Sequence, residues 1–286
     1  MSLMLKLLIT TLLLSSAVFA TNTENETKES IKHFLQKSFG GNRNIVSLKV
    51  KVGDAIKLKE IKGWSAYVVD IDAMVKSRPT NRRVKQKMFW YSNGDYITQD
   101  FIDAKTSKSI QELIRPKFQA KYYKKENLLF GDVDAKHKVV IFSDPLCPFC
   151  RAFVPGVLEE MKKYPKTFVV YYYHLPLSTI HPASLPLVKA AFAAQLAGVD
   201  NVVLNLYKVK VSPIEKDTTK ILKAFNDVMK TDIKLQDLNS SEVLKHYKAD
   251  TSVADELMIQ GTPTMYYDGK IDRSKSKYKK AIKKDG

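Results

Sequence analysis

The feature that most restricts the fold is a pair of apolar runs on either side of one helical stretch. Lys138-Val139-Val140-Ile141-Phe142-Ser143-Asp144 is short and apolar in the manner of a buried central strand. Arg151 to Tyr164 carries Phe153, Val157, Leu158 and Met161 at helical spacing, and Thr167-Phe168-Val169-Val170-Tyr171-Tyr172-Tyr173 is a second central strand. Strand, helix, strand in this order predicts a βαβ unit with a parallel pair.

Pro145-Leu146-Cys147-Pro148-Phe149-Cys150 lies at the junction of the first strand and the helix, and it holds both cysteines of the chain. A domain stapled by disulfides spreads its cysteines to close long loops. A bridge across this spacing closes a tiny ring and adds almost nothing to stability, so the pair is better explained by chemistry. Where a strand feeds a helix, the first sulfur sits over free backbone N–H groups and the positive end of the helix dipole, which favour thiolate. Pro148 suits the first turn, which needs no N–H partner there. The second sulfur lies one turn inside, placed to attack a mixed disulfide formed by the first. Cys147 is therefore the expected nucleophile and Cys150 the resolving thiol, with Pro148 and Phe149 forming the loop between them.

Zinc is the competing use of such a pair, but it needs two more ligands. His33, His137, His174, His181 and His246 form no ligand-spaced pair, so neither metal nor cofactor is expected. Farther along, Gly261-Thr262-Pro263-Thr264 precedes a β run to Tyr267. A proline at that point does not extend a ladder normally, and a cis peptide there would turn the backbone outward.

The remaining chain divides around this unit. Lys6, the apolar stretch Leu7 to Val18 and the small residues ending at Ala20 have the layout of a cleaved secretory leader over residues 1–20. Ile31, Phe34, Leu35 and Phe39 mark one helix face after a polar lead, with Gly40-Gly41 as its stop. Val46, Leu48, Val50 and Val52 then alternate with polar residues. Tyr67 to Ile71 and Lys87 to Tyr91 are β-rich, and Ser92-Asn93-Gly94-Asp95 signals a hairpin. Residues 21–105 thus read as a small, mostly antiparallel α+β domain whose Trp64 and Trp90 are core or interface aromatics. Residues 106–127 are charged, broken by Pro116, and suit a linker helix. Residues 128–286 form the α/β catalytic domain, with a helical insertion over about 184–257. Ser212, Asp217 and the box Ser252-Val253-Ala254-Asp255 are expected helix caps there.

The formal charge is +17, from 47 basic and 30 acidic residues. The lysines are scattered along the whole length, and the densest run, Lys275 to Lys284, reads as a solvated terminal helix. Nucleic acid is therefore not an expected partner.

Ile141 to Cys150, taken with Gly261-Thr262-Pro263-Thr264, resembles the thioredoxin-fold domain of the periplasmic DsbC/DsbG-type disulfide isomerases. The resemblance implies that Thr262 and Pro263 contact substrate backbone beside the reactive cysteine. Phe89 to Ile97 and Phe101-Ile102-Asp103-Ala104 are similar to that family's small, cystatin-like dimerisation domain. The implied molecule is a periplasmic homodimer acting on exported client proteins with cysteines and kept reduced by a membrane redox partner. Tyr173 to Leu177, His181-Pro182 and the Ala-rich stretch after them look closer to DsbA-type oxidases. An oxidase that donates its own disulfide, and a holdase-type chaperone using an apolar dimer cleft, are the alternatives to an isomerase.

Overall fold

The alternation after residue 45 produces long strands. The computed structural model describes residues 23–77 and 80–285, so the expected leader over residues 1–20 lies outside the described residues. The chain divides into two compact units at Arg115/Pro116.

In the first unit, helix α1 covers residues 23–40. It begins in the polar lead that the sequence reading left outside the helix, because Thr27 continues the Ile31–Leu35 stripe at four-residue spacing and all three are buried. Strands β1 (Ile45–Lys57), β2 (Ser65–Val75), β3 (Arg82–Ser92) and β4 (Ile97–Thr98) form an antiparallel sheet in that order. Tyr67, Val69, Ile71 and Ala73 are alternate residues of β2. They point to one face and meet Ile31, Leu35, Val50 and Trp90 in a single core. Trp64 instead meets Phe101 edge to face. The Asn93-Gly94 turn joins β3 to β4, with Gly94 at φ +101°. A two-stranded ribbon, β5 (Ile102–Asp103) and β6 (Lys108–Ser109), and a single turn, α2 (Gln111–Ile114), complete the unit.

The second unit opens with two 3-10 turns, Ala120–Tyr122 and Lys125–Asn127. Strand β7 (Leu128–Phe130) leads to β8 (His137–Ser143), helix α3 (Pro148–Lys162) and β9 (Phe168–His174). Strands β8 and β9 pair in parallel, from His137↔Phe168 to Ser143↔His174, which is the predicted βαβ unit. Strand β10 (Thr264–Tyr267) pairs antiparallel to β8 and β11 (Lys270–Ile271) to β10, giving the order β11-β10-β8-β9-β7.

Both faces of this sheet are covered, so β8 and β9 read as unbroken apolar runs. On one face Val139, Ile141, Val170 and Tyr172 pack against Val154, Val157, Leu158 and Met161 of α3. On the other, Val140, Phe142, Tyr171 and Tyr173 meet Phe118, Tyr122 and Leu257. Burying each such large side chain stabilises the fold by about 1.5–3 kcal/mol.

Between β9 and β10 the chain inserts α4 (Ser184–Leu196), α5 (Val202–Leu206), α6 (Thr218–Met229) and α7 (Ser241–Glu256), and α8 (Lys277–Asp285) ends the unit. Helix α4 is rich in alanine because it is buried on two sides. Leu187, Ala190 and Ala194 face α5 and α6, and Val188 and Phe192 face Val243 of α7. Asp217 caps α6 as its position suggests, accepting from the N–H groups of Thr219 and Lys220. The other expected caps are corrected. Ser252 lies inside the continuous helix α7, whose N-cap is Ser240, and Ser212 sits in a turn where no helix starts.

Candidate active site

The site forms where β8 gives way to α3. Cys147 is the N-cap of α3, in extended backbone, with Pro148 in the first turn. Arg151 N–H donates to the Cys147 carbonyl at 3.0 Å, so the helix begins directly behind the first cysteine. Both cysteines are free thiols. Cys147 is 5% exposed and Cys150 fully buried, whereas Phe149 between them is 76% exposed. The Thr262–Pro263 peptide is cis, and the Thr262 carbonyl accepts from the Cys147 thiol at 3.5 Å. The fold thus brings Thr262 against Cys147 across a separation of 115 positions. The Thr262 hydroxyl itself is buried without a hydrogen-bond partner of ordinary geometry.

Burial, opposed by the Ser143 and Thr262 hydroxyls and the Asp144 backbone, pushes the Cys150 thiol up to about 11. Cys150 is therefore a protonated thiol at neutral pH, shielded in the same apolar cluster as Val154 and Leu158. Such surroundings shield an inward thiol from reagents in solution.

Sequence reasoning missed the groups that hold this arrangement. Asp144 is 0% exposed, and its carboxylate accepts four hydrogen bonds. Oδ1 takes Leu146 N–H at 2.7 Å and the Ser184 hydroxyl at 2.6 Å. Oδ2 takes Leu177 N–H at 2.8 Å and lies 2.9 Å from His181 Nδ1. One carboxylate thus joins the active-site loop, the segment following β9 and the start of α4. Arg151 adds a second clamp, donating from Nε to the Pro145 carbonyl at 2.8 Å and from Nη2 to the Val209 carbonyl at 2.6 Å. Burial lowers its guanidinium below the usual range. The available signal was an acid and a base at the ends of an otherwise apolar strand and motif, where an unpaired charge is costly. Among the described residues, no group of three or more His, Cys, Asp or Glu converges as a metal site requires.

A family model described as thioredoxin matches residues 124–284. The Na(+)/H(+) antiporter NhaA 1 of Mycolicibacterium gilvum (strain PYR-GCK) is 28% identical over 146 residues, which are 50% of this chain and 23% of the antiporter. The chain therefore spans about a quarter of the length of that curated relative. Solved structures with resemblance include a thioredoxin-like oxidoreductase from Silicibacter pomeroyi DSS-3, at 20% identity and TM-score 0.42, covering 57% of this chain and 94% of that one. The catalytic domain of Proteus mirabilis ScsC is 24% identical at TM-score 0.43, with 57% and 91% covered. BdbD from Bacillus subtilis is 19% identical at TM-score 0.45, with 60% and 94% covered.

Proposed function

Because this chain belongs to the thioredoxin family, we propose that it is an exported thiol–disulfide oxidoreductase that acts on the cystines of client proteins, with Cys147 as nucleophile. The observation that carries the reading is the placement of Cys147. It caps α3, lies against the Thr262 carbonyl and stands in front of the buried thiol Cys150. An anionic sulfur at a helix N-terminus is stabilised by the dipole and the unpaired N–H groups of the first turn. Attack by that sulfur breaks the client S–S bond, forms a mixed disulfide and releases one client thiolate. Thr262 and Pro263 then hold client backbone, and exposed Phe149 meets its apolar side chains.

The direction of exchange we assign is isomerisation. The freed client thiolate attacks a different client disulfide. The thiolate released there attacks the client sulfur of the mixed disulfide, so that the Cys147–client bond breaks and Cys147 departs as a thiolate with no net electron transfer. When Cys150 resolves the intermediate instead, the client gains two electrons, and a membrane partner restores the enzyme dithiol. The first unit, with helix α1 and a four-stranded sheet, serves as the dimerisation domain, and the molecule works in the periplasm. Among the described residues no helix is long and apolar enough to cross a membrane.

A second reading, an oxidase, is favoured by the insertion of α4 to α7 between β9 and Thr262, the stretch that looks closer to DsbA-type proteins. The reduced protein incubated with a scrambled client decides between them. Recovery of native pairing without added oxidant, from a species of dimer mass by light scattering, supports the isomerase. A monomer that only passes its Cys147–Cys150 disulfide to reduced clients supports the oxidase. Absence of both activities removes the enzyme reading.

A further inference from the structure

Cys150 is buried in one apolar cluster with Tyr172 and Tyr207, whose hydroxyls join that of Ser143. Ser143 Oγ lies 2.6 Å from Tyr207 OH, and Tyr207 OH lies 2.7 Å from Tyr172 OH, all in the interior. The hydroxyls arrive from different elements. Ser143 ends β8, Tyr172 lies in β9, and Tyr207 follows α5 in the helical insertion. The Ser143 hydroxyl acts on the Cys150 thiol and favours its anionic form. Burial holds both phenols neutral, well above their ordinary range. Each hydroxyl can donate or accept, so the chain can be polarised in either direction.

The other ionisable groups near Cys150 are Cys147, Asp144 and Arg151. Asp144 is engaged by its four donors and Arg151 by two backbone carbonyls. Beside the Thr262 hydroxyl and the Asp144 backbone, the hydroxyl chain that starts at Ser143 is therefore the polar environment of a thiolate that must form in the interior.

We propose that Ser143, Tyr207 and Tyr172 form a hydroxyl wire that stabilises the Cys150 thiolate while it resolves the mixed disulfide. The proposal rests on Cys147 and Cys150 being the exchange pair. Cys150 gives up its proton to water. Tyr172 then donates to Tyr207, Tyr207 to Ser143, and Ser143 to the Cys150 sulfur. That sulfur attacks the Cys147 sulfur, the Cys147–client bond breaks, and the Cys147–Cys150 bond forms. The electron pair departs on the client sulfur, which takes a proton from water. Ser143 meets the reacting sulfur, while Tyr207 and Tyr172 are positioning residues that act through it.

Stopped-flow reaction of the reduced full chain with the aromatic disulfide dithiobis(nitrobenzoate) separates the steps. The first release of nitrothiophenolate reports attack by Cys147, and the second reports attack by Cys150. In Tyr207→Phe the first phase stays within about twofold of the parent. The second slows about tenfold at neutral pH, the effect of losing one hydrogen bond that acts on an ionised group. Its pH midpoint moves up by about one unit. Ser143→Ala gives the same pattern, and the double variant is no slower than Ser143→Ala alone, because the two act in series. Equal slowing of both phases, or an unchanged second phase and pH profile in both variants, overturns the wire. Absence of the first phase in the parent protein refutes the exchange pair itself.

Discussion

Asp250, in α7, gives stability a pH dependence with a defined sign. It is 3% exposed, and its oxygens accept from Asn127 Nδ2 and from His174 N–H, each at 2.8 Å. Burial outweighs these two bonds and pushes its carboxyl up to about 7. In an unfolded chain the same group titrates near about 3.9. Between those values the folded state holds the proton and the unfolded state does not, so stability falls as pH rises through the window. The contribution is present in full below about pH 4 and is lost above about pH 7. About three pH units at ~1.4 kcal/mol each amount to about 4 kcal/mol. Asp250→Asn removes the titration but turns one acceptor into a donor, at a cost of about 1–2 kcal/mol. The variant is therefore about 1.5 kcal/mol less stable than the parent near pH 4 and about 2.5 kcal/mol more stable near pH 8. Urea unfolding at both pH values measures this, with near-ultraviolet tyrosine dichroism as the probe. Trp64 and Trp90 belong to the first unit, so tryptophan fluorescence reports the other half. A difference between variant and parent that stays constant from about pH 4 to pH 8 refutes the reasoning.

Two further substitutions probe the frame around the site. Gly131 has φ +96°, and a Cβ there would stand 2.1 Å from the Phe168 carbonyl oxygen and 2.8 Å from Val169 Cα. Backbone atoms of β9 have no rotamer by which to yield, so Gly131→Ala loses about 3 kcal/mol or more, read as a lower Tm of the second unit. Asp144→Ala strands four donors, those of Leu146 and Ser184 fully buried, and loses about 4 kcal/mol. It also slows the first phase of the aromatic-disulfide reaction, since Leu146 and the segment from Leu177 to Ser184 lose their common anchor. A Tm within about a degree of the parent in either variant contradicts these assignments.

The βαβ unit was legible because its signals are local. Apolar runs fit β8 and β9, and one amphipathic face fits α3. The hairpin at Asn93-Gly94 and the Asp217 cap were legible for the same reason, since each is set within four residues. Ser252 misled because a Ser-x-x-Asp spacing also occurs inside a helix that is already capped at Ser240, and only tertiary packing fixes where α7 begins. The start of α1 was obscured by polar residues on its solvent side, which carry no apolar period. The Asp144 clasp and the hydroxyl chain were hidden for another reason. Their partners lie 33 to 64 residues apart for Leu177 and Tyr207, and isolated Ser, Tyr and His residues carry no spacing that marks them as a cluster.

The central claim is that Cys147 exchanges with client disulfides and Cys150 resolves the product. Mass mapping of adducts formed with a cystine-containing client tests it directly in Cys147→Ser and Cys150→Ser proteins. The account predicts no exchange in Cys147→Ser, and in Cys150→Ser a mixed disulfide that accumulates at Cys147. Exchange at the parent rate in Cys147→Ser, or client adducts mapped to Cys150 in the parent, contradicts it.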